Sequence, residues 1–147
     1  MSRLWRLSLN LLKKTKKVLS IDERNIFALD CLGFAHKKLA LEGIDEEKNY
    51  NDGLEYLKRS ERIEKPDDDV YAKQQMAEIY WMQDKNDEAL QVIDKLIDHK
   101  HTNGFMYYIK CRIKVENDEI EDAIPLYKES LNHGHYDAMS QLGFCYQ

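Results

Sequence analysis

Val70-Tyr71-Ala72-Lys73-Gln74-Gln75-Met76-Ala77-Glu78-Ile79-Tyr80-Trp81 is followed, after a short polar break, by Asn86-Asp87-Glu88-Ala89-Leu90-Gln91-Val92-Ile93. The arrangement returns 34 residues later, in Gly104 through Val115 and then Ile120-Glu121-Asp122-Ala123-Ile124-Pro125-Leu126-Tyr127. Ala89 and Ala123 hold the same place in the two copies, each behind a run of acidic residues. Ile93 and Tyr127 follow four residues on, and Leu96 and Ser130 another three on. Apolar residues at i, i+3, i+4 and i+7 mark each half as an amphipathic helix. Gln83-Asp84-Lys85-Asn86 and Glu116-Asn117-Asp118 join the halves. Asp84, Asn86, Asn117 and Asp118 are candidate caps, because their side chains accept the orphan N–H groups of a following helix. The unit is helix, turn, helix, turn, and a fixed period of this length is the mark of stacked repeats.

Working outward, Leu32-Gly33-x-x-His36 and Leu142-Gly143-x-x-Tyr146 share a leucine, glycine, ring spacing. A residue without Cβ lets the second helix of a hairpin come close at Gly33 and Gly143. The partner of the Leu32–Gly33 helix is Tyr50-Asn51-Asp52-Gly53-Leu54-Glu55-Tyr56-Leu57-Lys58-Arg59-Ser60, which ends at Lys65-Pro66-Asp67. This unit is about eight residues longer than the 34-residue period, and the excess, Leu41 to Lys48, reads as an extended turn inside the repeat. Val18 to Asn25 reads as the end of an earlier second helix. The spacing predicts helices over 24–41, 47–64, 68–83, 86–99, 103–116 and 119–132. They divide a single domain, 1–147, into a half repeat (1–25), repeats 26–67, 70–103 and 104–135, and a truncated repeat (136–147). A solenoid edge is normally closed by a polar cap. Leu142, Phe144, Cys145 and Tyr146 are not polar, so the expectation is a piece of a longer array or an edge covered by a partner.

Composition narrows the function classes. Hydrophobic residues make up 43% of the chain and recur throughout, which separates it from disordered chains of similar charge. Cys31, Cys111 and Cys145 are odd in number and lie in apolar helical stretches, the pattern of reduced, buried thiols in a cytoplasmic protein. No run approaches the ~20 apolar residues of a membrane span. Leu4-Trp5-Arg6-Leu7 lacks the clean apolar core and cleavage site of a signal peptide. Residues 1–19 carry six basic side chains and no acidic one, leaving 16 basic against 27 acidic in the remainder. A body that acidic repels a phosphate backbone, which argues against nucleic acid.

Glycines are scattered singly, so no phosphate loop is present, and none of the common catalytic or zinc motifs occurs. The expectation is no enzyme, no cofactor and no metal. His99-x-His101 and His133-x-His135 fall one repeat apart in turns. Repeats stack ~10 Å apart, too far for four imidazoles to share one ion. The histidines therefore read as polar turn residues. The N-terminal helix places Lys13, Lys14, Lys16 and Lys17 opposite Leu4, Trp5, Leu7, Leu11 and Leu12. That pattern suits either a membrane surface or acidic partner, or an ordinary repeat helix whose leucines pack on the next hairpin, which the run into Ser20–Asn25 favours.

The residues resemble the tetratricopeptide repeat, a 34-residue helical hairpin: Met76-Ala77-x-x-Tyr80…Ala89…Ile93…Leu96 carries the likeness, and Ala123…Tyr127…Ser130 its second half. Lys110 and Lys114 fall where apolar residues are expected. A one-residue shift, turning Met106, Ile109 and Ile113 inward, would restore the pattern. Gly134 to Tyr146 is more similar to the related Sel1-like repeat. The resemblance implies an all-α, right-handed α-solenoid of helical hairpins whose first helices line a concave groove holding a peptide or helix of another protein. It implies one row of groove positions containing Phe27, Tyr71 and Phe105. Deeper positions are Phe34, Gln74, Glu78, Trp81, Met82, Tyr108 and Arg112. Aromatics, Met and Arg are the types enriched at interfaces, though a helical aromatic stripe is also what a core supplies. The family's carboxylate clamp for chaperone C-termini needs Lys, Asn and Arg where this chain has Asp30, Phe34, Gln75, Phe105 and Ile109, so that ligand is not expected. The rival readings are a structural spacer within a larger array and attachment through the basic first helix.

Overall fold

The computed structural model describes residues 3–63, 70–100 and 102–134, with side chains from Arg6 onward. Among them lie seven helices and no strand. α1 (Arg3–Ile21) precedes three pairs: α2 (Ile26–Leu41) with α3 (Glu46–Ile63), α4 (Val70–Met82) with α5 (Asn86–Asp98), and α6 (Gly104–Glu116) with α7 (Ile120–Asn132). Each pair packs as a hairpin, α1 packs on α2, and the first helices α2, α4 and α6 touch in succession. The architecture is an all-α helical repeat solenoid. The helix bounds fall within two residues of those expected from spacing.

The core explains the stacking. Ala40, Tyr50, Leu54 and Leu57 of the first hairpin close over Ala72, Met76 and Ile79 of α4. Ala77, Ala89, Ile93 and Leu96 of the second close over Met106, Ile109 and Ile113 of α6. Each hairpin thus buries its apolar face partly within itself and partly under the first helix of the next. Ala89, Ala123, Ile93, Tyr127 and Ser130 are all fully buried, so the 34-residue register read from the sequence is the register of the core. The Ser130 hydroxyl donates to the Gly104 carbonyl at 2.5 Å, tying the end of α7 to the start of α6.

Gly33 works as expected. A Cβ there would lie 2.5 Å from Leu57 Cγ, and one on Gly53 would lie 3.1 Å from the Gly33 carbonyl oxygen. The two glycines let α2 and α3 approach closely, with the Leu57 side chain seated on Gly33 and the Gly53 backbone against the Gly33 carbonyl. Gly143 lies outside the described residues, as does the stretch from His135 onward that was expected to resemble the Sel1-like repeat.

Three expectations are corrected. No long turn joins α2 to α3: the connection is residues 42–45, and the extra length sits in helices of 16 and 18 residues against 13 in each later pair. Helix extension adds buried apolar positions such as Ala40 and Tyr50, which a longer loop would not.

The expected caps act at the other end of the turn. Asp84 and Asp118 adopt left-handed backbone (φ 58° and 63°) after α4 and α6. The next amides, Lys85 and Glu119, donate back to the Tyr80 and Lys114 carbonyls at 2.8 and 2.9 Å. This Schellman closure satisfies carbonyls of the preceding helix. Gly43 (φ 81°) and the Ile44 amide repeat it after α2. Asn86 is the first residue of α5 and Asn117 the C-cap of α6. The second helices α5 and α7 start without a side-chain cap and carry acidic pairs in the first turn, Asp87-Glu88 and Glu121-Asp122, which favour the positive helix end. True side-chain caps open α2 and α6: Asn25 accepts from the Ala28 amide at 2.9 Å and Asn103 from the Met106 amide at 3.0 Å.

The one-residue shift in α6 is confined to one turn, where Ile109 is buried one place before Lys110, the counterpart of Met76. Met106, Ile109 and Ile113 do point inward, yet Cys111 is buried at the place of Ala77, and Ile113 at that of Ile79. The register holds because the two lysines leave the core by pairing outward, Lys110 with Asp94 of α5 and Lys114 with Glu119, both at 2.7 Å.

α1 packs as a repeat helix. Leu12 is buried with Leu32, Ala35 and Leu39, and Leu9, Leu11 and Leu19 pack against them, while Lys13, Lys14, Lys16 and Lys17 are exposed. No described helix is long and apolar enough to cross a membrane.

Candidate protein-binding face

The row of first helices α2, α4 and α6 does not present its aromatics uniformly. Phe27 opens α2 with 79% of its surface exposed, and Tyr71 opens α4 with 43% exposed. With Asp30, Cys31 and Phe34 they line a cleft of about 360 Å³ between α2 and α4. Phe27, Asp30 and Phe34 sit three and four residues apart, hence on one face of α2. The exposed position of Phe27 follows from Asn25: the cap fixes the helix start, so the second helical residue faces outward while Ala28 and Leu29 face in.

Phe105 does not share that situation. Its ring meets Trp81 edge-on at 6.3 Å and stacks on Tyr108 at 6.3 Å. Tyr108 also meets Trp81 at 6.5 Å and Tyr127 at 6.2 Å, and Arg112 donates to its hydroxyl at 3.1 Å. Phe105, Trp81, Tyr108 and Arg112 thus form a half-buried block between α4 and α6, apart from the open cleft. Trp81 covers Phe105, whereas Lys37, at the matching place one hairpin earlier, leaves Tyr71 uncovered and turns to Glu78.

That turn builds the tie between α2 and α4. Lys37 Nζ lies 2.7 Å from the Glu78 carboxylate and also donates to Gln75. Burial pushes the Lys37 ammonium below its ordinary value, and Glu78 acts against that shift by Coulomb attraction and by its hydrogen bond. Glu78, an expected groove residue, is therefore engaged inside the chain. Gln74 is half-buried beside it on α4. Met82 is exposed, but with Tyr50, Gln83 and Lys85 it lines a separate hollow of about 220 Å³.

Sequence reasoning set Asp30 and Gln75 beside Phe34 and Phe105 only as clamp positions that lack the clamp's residues, and missed Cys31 and Lys37. Asp30 was recoverable from its helical spacing to Phe27 and Phe34. A second apolar cleft of about 350 Å³, lined by Leu7, Leu11, Phe34 and Leu41, lies between α1 and α2 and was also unforeseen. Cys111 is buried as expected, but Cys31 is only half-buried and opens on the cleft. Burial first and Asp30 second push its thiol up. His99 and His133 are exposed, and His133 stacks on Tyr107 at 5.2 Å. His101, His135 and Cys145 lie outside the described residues.

The hairpin stack has a counterpart of known structure. A crystal structure of a thermophilic TPR protein from Thermus thermophilus superposes with a TM-score of 0.75, covering 97% of this chain and 79% of that one. The fold is tetratricopeptide-like. Sequence identity across that superposition is 15%, so the likeness is one of fold. No protein-family model and no curated protein matches the sequence.

Proposed function

We propose that this tetratricopeptide-like chain is a non-catalytic protein-binding scaffold, and that the face formed by α2 and α4 receives a peptide or helix of another protein. The observation that carries the reading is the pair Phe27 and Tyr71, exposed on adjacent first helices across one apolar cleft. Exposed aromatics that contribute little to the fold are the residues that anchor interfaces. The block of Phe105, Tyr108 and Arg112 extends that face toward α6 with a firmer, partly polar surface. Repeats 26–67, 70–103 and 104–135 are the structural units in this reading, and the cytoplasm suits the free thiols Cys31 and Cys111.

The test is the affinity of the principal partner, purified from the source organism, for variants of the cleft. Phe27→Ala and Tyr71→Ala should each weaken it about tenfold or more while leaving the melting temperature nearly intact. Unchanged affinity in both variants would remove the cleft from the interface and favour a spacer role.

A further inference from the structure

α1 is the one helix among the seven described that carries no acidic residue. Its inner side packs on α2 through Leu9, Leu11, Leu12 and Leu19. Its outer side keeps Leu7, Val18 and Ile21 exposed, three of the seven large hydrophobic side chains exposed among the described residues, and Ile21 shows 89% of its surface. Leu7, Lys14, Val18 and Ile21 are spaced i, i+7, i+11 and i+14, so they share one stripe along the helix. Arg6, Lys13 and Lys17 repeat the start of that spacing and form the next stripe. All three are exposed, and none is in an ion pair among the described residues. The first stripe begins at Leu7 beside Leu41 of α2, which is also exposed, and Lys38 lines the same cleft edge. We propose that this outer face of α1 lies on an anionic phospholipid surface, with the aliphatic stripe dipping below the headgroups and the cationic stripe against their negative charge. The surface is separate from the α2–α4 cleft and does not depend on it.

The binding of a helix that lies in a membrane interface grows with the apolar area it sinks and with its attraction to anionic lipid. α1 supplies both on one side. Each cation held near an anionic leaflet strengthens attachment about fivefold, and Arg6, Lys13, Lys14 and Lys17 act together. Their long stems follow the helix down while the charges stay at headgroup level. A soluble acidic chain would neutralise the cations and leave Ile21 in water, whereas a bilayer takes up both features. The acidic remainder of the chain is repelled by the same leaflet, but that repulsion fades within about 8 Å at physiological salt. α1 stands at one end of the described helices, packed on α2, so it can touch the leaflet with the acidic hairpins behind it. The acidic groups beside it are few: Asp22 and Glu23 follow α1 with Arg24 next to them, and Glu42 lines the cleft near Leu7.

The experiment co-sediments the full chain, at physiological salt, with phosphatidylcholine vesicles that do or do not contain phosphatidylserine. The protein should bind the phosphatidylserine vesicles at least about tenfold more tightly than the neutral ones. Lys14→Gln with Lys17→Gln should weaken that binding about twentyfold, and Val18→Ser with Ile21→Ser about tenfold. Both pairs should keep the parent melting temperature, because all four side chains are exposed. If the serine pair lowers it, Ile21→Ser alone decides, with an expected loss of about threefold. Equal sedimentation with both vesicle types, or with neither, overturns the proposal. Weakening in the lysine variant alone, with the serine variant bound as tightly as the parent, also overturns it; the partner of α1 is then a soluble polyanion, and polyglutamate should displace the vesicles.

Discussion

Lys37 on α2 and Glu78 on α4, 41 positions apart in sequence, meet at 2.7 Å across the junction of two hairpins, and the lysine side chain is only 4% exposed. A charge buried this deeply is tolerated because Glu78 and Gln75 together surround it. Lys37→Met leaves Glu78 without its partner and should cost about 3 kcal/mol of stability. Adding Glu78→Leu should restore most of the loss, because a well-packed apolar pair replaces a buried ion pair at little cost. Equilibrium urea unfolding of both single variants and the double measures the coupling. Purely additive losses would show that the two side chains do not act as a pair.

The junction alanines give a second expectation. Ala89 and Ala123 are fully buried where the two helices of a hairpin cross. Ala89→Leu and Ala123→Leu should each destabilise by ~1–3 kcal/mol through overpacking, as read from denaturant midpoints. A change within ~0.5 kcal/mol would mean that those sites have room to spare.

Gly33 gives a third. Its missing Cβ would collide with the branched end of Leu57, 2.5 Å from Cγ and 2.6 Å from Cδ2, and Leu57 is fully buried, so it has little room to turn away. Gly33→Ala should therefore cost ~1–3 kcal/mol, although alanine is the better helix former by about 1 kcal/mol. A stabilised variant in thermal unfolding would show that α2 and α3 separate easily.

Phe105 and Phe27 occupy equivalent-looking places on first helices but differ in environment, which gives a fourth. Phe27→Ala should change stability by no more than ~0.5 kcal/mol. Phe105→Ala, which removes a ring packed against Trp81 and Tyr108, should cost about 2 kcal/mol, roughly half the ~3–5 of a fully buried phenylalanine. Similar losses in both variants would contradict the division into an open cleft and a packed block.

These contrasts show what the sequence made legible. The 34-residue echo of Ala89 in Ala123, with Ile93 and Tyr127 behind them, determines the hairpin register because each small residue must sit where two helices cross. Gly33 was legible for the same reason. The Lys37–Glu78 tie was not, since it joins different hairpins and has no periodic echo: Trp81, at the matching place one hairpin on, makes a ring contact instead. Asp84 and Asp118 look like N-caps by residue type, and only the backbone path shows that they terminate the helix before them. The uneven exposure of Tyr71 and Phe105 was hidden for a related reason. It depends on whether the preceding first helix covers the ring: Trp81 covers Phe105, whereas Lys37 turns to Glu78 and leaves Tyr71 open.

Site-specific photocrosslinking decides whether the proposed face between α2 and α4 meets the partner. Benzoylphenylalanine at position 71, on the cleft, is compared with the same residue at exposed position 55 on α3, both in lysate of the source organism. Position 71 should yield one dominant adduct that disappears when Phe27→Ala is added, and position 55 should yield none of it. The same adduct from both positions, or one from position 71 that survives Phe27→Ala undiminished, would mean that the partner does not dock on this face.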